Sequence, residues 1–202
     1  MAVINIRKSE VQIKIVYVGP GRGGKTSNLD FIFASIRHRI QSDMVSIKTH
    51  GDRTLFFDFL PFELGQIQGY KIKTQLYTVP GQVKYNATRK LVLKGVDGIV
   101  FVADSMQVMR EKNIMAMENL KENLAFYGID LYNKFPIVLQ YNKRDLADEG
   151  IALLDIETME KDLNSVLKAP YFEASAVKGH NVIPTVKKAI SLTIVSLQEH
   201  LK

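Results

Sequence analysis

Apolar and polar positions along the chain follow two periods, and the changes between them predict strands and helices in alternation. Residues 11–18, VQIKIVYV, alternate and then become continuously apolar, which is typical of a strand that enters a buried sheet. A glycine-rich turn follows, and residues 28–39 carry apolar side chains at helical spacing. Residues 54–60 and 69–79 are strand-like and too close for an intervening helix, so we expect an antiparallel hairpin.

Three further strands, each followed by a helical pattern, are predicted at residues 98–104, 136–140 and 171–174. The helix after the first of them should end near Gly128, and the last helix shows an apolar stripe from Val186 to Leu201. This order predicts one α/β domain over residues 1–202, with a mostly parallel central sheet, one antiparallel hairpin edge and helices on both faces. Ligands of such sheets bind beyond the carboxyl ends of the strands.

The glycine-rich turn, GPGRGGKT at residues 19–26, fits the phosphate-loop pattern G-x-x-x-x-G-K-[ST] between a predicted strand and a predicted helix. Its glycines let backbone N–H groups surround a phosphate, Lys25 reaches the β and γ oxygens, and Thr26 offers a hydroxyl to Mg²⁺. An ordinary glycine-rich turn is the alternative. The predicted phosphate-binding residues are Gly19, Gly21, Gly23, Gly24, Lys25, Thr26 and Ser27.

The segment NKRD, residues 142–145, follows a predicted strand and is a candidate for base recognition. The Asp145 carboxylate can accept two hydrogen bonds from guanine, whereas adenine would leave it unpaired. Lys143 can lay its stem along the base while Asn142 ties the loop to its neighbours. The segment EASA, residues 173–176, comes at the end of the last strand and contains Ser175 and Ala176. The N–H of Ala176 is predicted to face guanine O6. A solvated turn is the alternative for each segment.

Composition narrows the function classes. The 27 Lys and Arg exceed the 21 Asp and Glu by six, but the basic residues are scattered, which favours a solvated surface over a nucleic-acid site. There is no cysteine, and residue 2 is alanine, so disulfides, cysteine-linked lipids and N-myristoylation are not expected. With no export signal or membrane span in the pattern, we expect a cytoplasmic protein without a lipid anchor. Asp97 and Asp104 flank a strand and are predicted to be turn or cap residues.

The segments GPGRGGKT, TVPGQ, NKRD and EASA occur in the order of the guanine-nucleotide motifs of small Ras-like GTPases. More narrowly, DRTLFFDFLP, LYTVPGQ and RKLVLKGVDGIVFVADS resemble the MglA family of bacterial small GTPases, which act in cell polarity and gliding motility. The resemblance covers nearly the whole chain. It implies a phosphate-loop small GTPase fold that binds GTP or GDP with Mg²⁺ and hydrolyses GTP to GDP and phosphate.

The resemblance also implies roles for single residues. Thr54 resembles the switch threonine that meets Mg²⁺ and the γ-phosphate, and Gly81 resembles the glycine that approaches the γ-phosphate. Arg53 resembles an arginine finger supplied in cis, and Gln82 resembles the glutamine that orients the attacking water. The implied catalytic residues are Lys25, Arg53 and Gln82, and the implied Mg²⁺ ligands are Thr26 and Thr54.

Three positions depart from the common small-GTPase pattern. Thr78 stands where most relatives have an acid, a trait that the MglA family tolerates. Pro80 has a fixed φ that would bias the approach of Gly81 to the γ-phosphate. Val177 stands where many relatives place a lysine over the base.

The resemblance implies partners as well. We expect a monomer that is activated by a roadblock-fold MglB homodimer, is read in its GTP state by effectors of the polarity or motility machinery, and is recruited to a cell pole. Three alternatives stay open. A GTP-binding scaffold without turnover is favoured by Thr78, a phosphate-loop kinase is disfavoured by NKRD, and a nucleic-acid-binding domain rests on net charge alone.

Overall fold

The computed structural model describes residues 3–5, 9–36, 45–49, 53–67, 70–82 and 85–200, with side chains for 9–36, 70–82 and 85–199. The strands are β1 Val3–Asn5, β2 Glu10–Val18, β3 Val45–Thr49, β4 Arg53–Ile67, β5 Tyr70–Thr78, β6 Gly98–Asp104, β7 Ile137–Asn142 and β8 Tyr171–Glu173. The helices are α1 Lys25–Ile36, α2 Asn86–Leu93, α3 Arg110–Ala125, α4 Ile156–Leu163 and α5 Val182–His200. Short 3-10 helices lie at Gln107–Met109 and Arg144–Glu149.

The described strands form one sheet in the order β3-β4-β5-β2-β6-β7-β8, and β1 pairs with the start of β2. Five neighbours, β5, β2, β6, β7 and β8, run parallel. The α/β class and the mostly parallel sheet are therefore confirmed. On one side β4 pairs antiparallel with β5, and β3 pairs antiparallel with β4.

The prediction of a single antiparallel hairpin edge, with strands at residues 54–60 and 69–79 and a connection between them, is wrong. β4 continues as a strand through Pro61 and Gly65 to Ile67, and β3 and β1 add antiparallel pairs that we did not predict. Proline is tolerated there because the pairing of β3 with β4 ends at Phe59, so that among the described residues the rest of β4 pairs only with β5. The register shift between Glu63 and Gly65 accommodates the glycine as an irregularity in the ladder.

The alternation of β2 divides the core between the two faces of the sheet. Ile13, Ile15 and Tyr17 pack in the cluster that contains residues of α1 and α5, whereas Val16 and Val18 pack in the cluster with α2, α3 and α4. All five are buried. Burial on both faces explains the continuously apolar end of this strand and confirms helices on both sides.

Several predicted bounds shift. α1 begins at Lys25, three residues before the predicted start, and residues 37–39 of the predicted helix lie outside the described residues. β7 extends to Asn142, so the base-recognition segment begins inside the strand. α2 was not predicted, because its eight residues show too short a pattern. Within the described ranges, no helix combines the length and apolar character needed to cross a bilayer.

Candidate functional site

The five parallel strands end at one edge of the sheet, and the predicted motifs follow those ends. The strand ends are Val18, Thr78, Asp104, Asn142 and Glu173. Because the carboxyl ends of parallel strands meet at the same edge, GPGRGGKT, TVPGQ, NKRD and EASA come together there. The topology thus brings the sequence-predicted segments to a single site.

The phosphate loop curls so tightly that two positions accept only glycine. Gly19 has φ +146°, and a Cβ on it would lie 2.1 Å from the carbonyl oxygen of Val102 in β6. Gly24 has φ +98°, and its Cβ would lie 2.1 Å from the side-chain nitrogen of Asn142. A side chain at either position would push the loop away from the sheet edge.

Lys25 lies buried at the centre of this curl. Its Nζ donates to the carbonyl oxygens of Gly19 at 3.0 Å and of Pro20 at 2.7 Å. α1 starts at the same residue, and its first intrahelical bond runs from the Asn28 N–H to the Gly24 oxygen at 3.0 Å. A glycine-only curl, a buried ammonium group and a helix N-terminus together fit the phosphates of a nucleotide. Thr26 and Ser27 lie half-buried on the first turn of this helix.

Asn142 joins the phosphate loop to the base segments, as predicted. The buried side chain donates from Nδ2 to the Gly23 carbonyl at 2.8 Å and accepts at Oδ1 from the Ala176 N–H at 2.9 Å. Ser175, also buried, donates its N–H to the His180 carbonyl. The Ala176 N–H therefore has a protein partner in this structure, and its donation to guanine O6 stays a prediction.

Lys143 and Asp104 form an ion pair beneath the base segment. Lys143 has φ +69°, and its Nζ lies 2.6 Å from Oδ2 of Asp104, which is fully buried. The other oxygen, Oδ1, accepts from the Met106 N–H at 3.1 Å, so Asp104 is the turn residue that we predicted and the counter-ion of Lys143 as well. Asp145 lies half-buried in the 3-10 helix Arg144–Glu149, and its contact with guanine stays a prediction.

A buried polar chain that sequence reasoning missed connects the phosphate loop to α5. Asn28 donates from Nδ2 to the Gly24 carbonyl and accepts at Oδ1 from Nε2 of Gln140 at 3.0 Å. Gln140 also donates to the Thr185 hydroxyl at 3.2 Å, and that hydroxyl donates to the Asn181 carbonyl. The only sequence signal was polar residues inside apolar strand and helix patterns.

The turn after β5 packs directly on the phosphate loop. A Cβ on Gly81 would lie 2.3 Å from the backbone nitrogen of Gly21, and a Cβ on Gly21 would lie 3.7 Å from Cγ of Gln82. Gln82 is thus beside the phosphate loop. Thr78, in the place of the usual acid, is buried at the end of β5. In the described part of the chain, no group of three or more His, Cys, Asp or Glu residues could hold a metal ion.

Arg53 and Thr54 are the first residues of β4, and their side chains lie outside those that the structure describes. Their backbone pairs with Thr49 and Lys48 of β3. β4 meets β5 only from the pair Phe59 and Tyr77 onward, so the start of β4 extends past the carboxyl end of β5. The backbone of Arg53 and Thr54 therefore lies at the sheet edge that carries the phosphate loop. The roles of the two side chains stay predictions.

The phosphate loop at this sheet edge defines a phosphate-loop nucleotide-binding protein. Residues 14–194 match the Ras family, and the chain belongs to that family: it is a small GTPase, an enzyme that hydrolyses GTP. It is similar to the mutual gliding-motility protein MglA of Myxococcus xanthus (strain DK1622), with 48% identity over 199 residues. That match covers 98% of this chain and 99% of the relative, and it confirms the resemblance to MglA. Guanine nucleotide and Mg²⁺ are the general ligands of such GTPases.

Proposed function

We propose that this chain is a GTP-dependent switch in which the nucleotide lies across Asn142, with its phosphates on the loop at residues 19–26 and its guanine on residues 142–145. The contacts of Asn142 with the Gly23 carbonyl and the Ala176 N–H are the observation that carries the proposal. They make the phosphate loop and the base segments parts of one site. One ligand with a phosphate end and a base end fits that arrangement.

Hydrolysis rests on three residues of this chain. The buried Lys25 ammonium would offset charge on the β–γ bridge, and Gln82, which lies beside Gly21, would orient water. Arg53 would stabilise the transition state as a cis arginine finger. Mg²⁺, when bound, neutralises phosphate charge, and the hydroxyls of Thr26 and Thr54 would hold it in a sparse protein shell of the kind that this ion accepts.

We further propose that turnover is slow until a partner acts. Arginine fingers contribute about 10³ to 10⁵ in rate, so a chain that carries its own must keep Arg53 or Gln82 out of position in the resting state. A relative named for mutual gliding motility supports a role in motility or polarity. By the same likeness, the activator is an MglB-type roadblock homodimer.

The test of the switch is single-turnover hydrolysis of GTP with Mg²⁺, with and without that homodimer. We expect slow turnover alone and faster turnover with the partner. Arg53→Ala and Gln82→Ala should each lower the stimulated rate by about 10²-fold or more. The matched control is Gln107→Ala, which removes an exposed glutamine after β6. Equal rates in Gln82→Ala and the wild type would contradict the assigned role.

The alternative of a GTP-binding scaffold without turnover is favoured by the buried Thr78 in the acid's place but disfavoured by membership of the Ras family. The same experiment separates the two functions. Tight GTP binding, with no phosphate release from the wild type in the presence of the partner, would support the scaffold.

Base selection is proposed to depend on Asp145, which would accept hydrogen bonds from the N1–H and the exocyclic amine of guanine. Inosine diphosphate lacks that amine, so the wild type should bind GDP about 10-fold or more tighter than IDP. Asp145→Ala should reduce that ratio toward one. The control is Asp148→Ala, an exposed acid in the same 3-10 helix that pairs with Lys178. ATP that competes with GTP at similar affinity would favour the kinase alternative.

A further inference from the structure

A buried arginine lies behind the turn that carries Gln82. Arg89, in the middle of α2, is 6% exposed. Its Nη1 donates to the carbonyl oxygens of Pro80 at 3.0 Å and of Gln82 at 2.5 Å. The two carbonyls lie on either side of Gly81, so one guanidinium group holds both ends of the turn.

The opposite side of the turn rests on the phosphate loop. A Cβ on Gly81 would lie 2.3 Å from the Gly21 nitrogen and 2.4 Å from the Pro20 carbonyl carbon, so the two backbones are in direct contact. Pro80 has no N–H with which to make a turn hydrogen bond of its own. The position of Gln82 relative to the phosphate loop therefore depends on what holds the back of the turn. Arg89 bonds both of its ends, and the Tyr85 N–H also donates to the Gln82 carbonyl at 3.1 Å.

Arg89 is itself anchored to the next helix. Its Nε donates to Oδ1 of Asn119 in α3 at 2.8 Å. Asn119 donates from Nδ2 to Oδ1 of Asn86 in α2, and Asn123 donates to both asparagines. The turn is thus connected through one side chain to a polar cluster between α2 and α3.

The geometry suits a guanidinium group and no other side chain. Three acceptors are met by two nitrogens of one planar fork, an arrangement that the point charge of lysine does not reproduce. Burial lowers the pKa of the Arg89 guanidinium, yet an arginine stays protonated in proteins, so these bonds are charge-assisted. Hydrogen bonds to a charged donor are stronger than those between neutral groups.

We propose that Arg89 is a positioning residue for GTP hydrolysis: it fixes the turn at residues 80–82, and thereby places the Gln82 side chain beside the phosphate loop. The inference rests on the proposed role of Gln82 in orienting water. A displacement of about 1 Å in a positioned group costs on the order of 10²-fold in rate. Nucleotide affinity should change little, because Arg89 contacts neither Lys25 nor the base segments in the bonds described above.

The test uses Arg89→Met in the full chain, with single-turnover GTP hydrolysis in the presence of the MglB-type homodimer and the affinity for a fluorescent GDP as separate readouts. We expect hydrolysis to fall by about 10²-fold and the GDP dissociation constant to stay within about threefold. The matched control is Arg110→Met, which removes an exposed arginine paired with Asp162 and should leave both readouts unchanged.

A second readout separates positioning from general structural damage. In a Gln82→Ala background, Arg89→Met should slow hydrolysis no further, because its effect passes through Gln82. Additive slowing would overturn the inference, as would wild-type hydrolysis by Arg89→Met. If Arg89→Met does not fold, Arg89→Lys keeps the charge and the stem without the fork, and wild-type hydrolysis by that variant would overturn the inference equally. A wild type that releases no phosphate would overturn the proposed function and this inference with it.

Discussion

On the base side of the site, side chains hold the loops, whereas the phosphate side adds contacts of backbone against backbone to the side-chain bonds of Lys25 and Arg89. The base side comprises residues 142–145 and 173–176, where the side chains of Asn142, Lys143 and Arg144 reach backbone carbonyls and carboxylates. The phosphate side comprises residues 19–26 and 78–82, where Gly19 and Gly81 approach other strands and loops too closely for any Cβ.

The difference bears on how each side responds to substitution. A region held by several side-chain bonds loses one of them at a time, and each loss costs about 1–3 kcal/mol. A backbone contact that only glycine allows cannot be weakened in part, because even one added methyl group must displace the neighbouring backbone. We therefore expect the phosphate side to lose binding abruptly and the base side to weaken in steps.

The largest effect is expected for Gly19→Ala, which tests the abrupt case. The φ of +146° is strained for alanine, and its Cβ would lie 2.1 Å from the backbone carbonyl oxygen of Val102. We expect the affinity for GDP to fall by at least about 100-fold, which corresponds to roughly 2.7 kcal/mol. Equilibrium titration with fluorescent GDP measures it.

The control for this variant is Gly150→Ala. Gly150 has φ +73°, but a Cβ on it would meet nothing within 4 Å. Backbone strain alone, about 1–2 kcal/mol, should lower stability there and leave GDP affinity unchanged. Equal losses of affinity in the two variants would mean that strain, and not the backbone contact with Val102, makes the phosphate side sensitive.

A smaller, stepwise effect is expected for Lys143→Met on the base side. The change leaves the fully buried Asp104 carboxylate without its ammonium partner. Breaking such a pair should cost about 2 kcal/mol here, since the lysine side chain is 25% exposed and part of the charge is screened. Denaturant unfolding in the presence of GDP measures it.

The companion variant is the double change Lys143→Met with Asp104→Asn. Removing the charge together with its partner should restore part of the lost stability, because no uncompensated carboxylate is then buried. A double variant less stable than Lys143→Met would contradict the role of Asp104 as a counter-ion, because asparagine still offers an oxygen to the Met106 N–H.

The phosphate side was also the easier side to predict from sequence. Its information is local, because the glycine spacing, Lys25 and Thr26 lie within eight consecutive positions between a strand and a helix. The parallel sheet was likewise predicted from local patterns, because strand-like and helical segments alternate along the chain. α2 and β3 were missed because eight and five residues carry too little periodicity.

The support of the base side depends on contacts between distant parts of the chain. Lys143 and Asp104 are 39 residues apart, and Gln140 and Asn28 are 112 apart. Such pairs meet only because β2, β6 and β7 are neighbours in the sheet, a fact that no local pattern contains. Asp104 was predicted correctly as a turn residue, but its charge partner required the strand order.

The smallest effect is expected for Thr185→Val, which tests whether the two sides are joined through the core as well as through Asn142. The Thr185 hydroxyl accepts a hydrogen bond from Nε2 of Gln140, which also donates to Asn28 behind the phosphate loop. Loss of that acceptor should cost about 1 kcal/mol in the free energy of unfolding. Affinity for GDP should weaken by less than about threefold, because Asn28 keeps its bond to the Gly24 carbonyl.

Thr193→Val is the matched control, since this threonine is also buried in α5 but donates only within its helix, to the Ala189 carbonyl, in the bonds described here. That carbonyl keeps its place in the helix ladder, so valine of similar shape should change stability little. Equal costs for Thr185→Val and Thr193→Val would mean that the polar chain contributes no more than any buried hydroxyl. In that case Asn142 alone would connect the base side to the phosphate side.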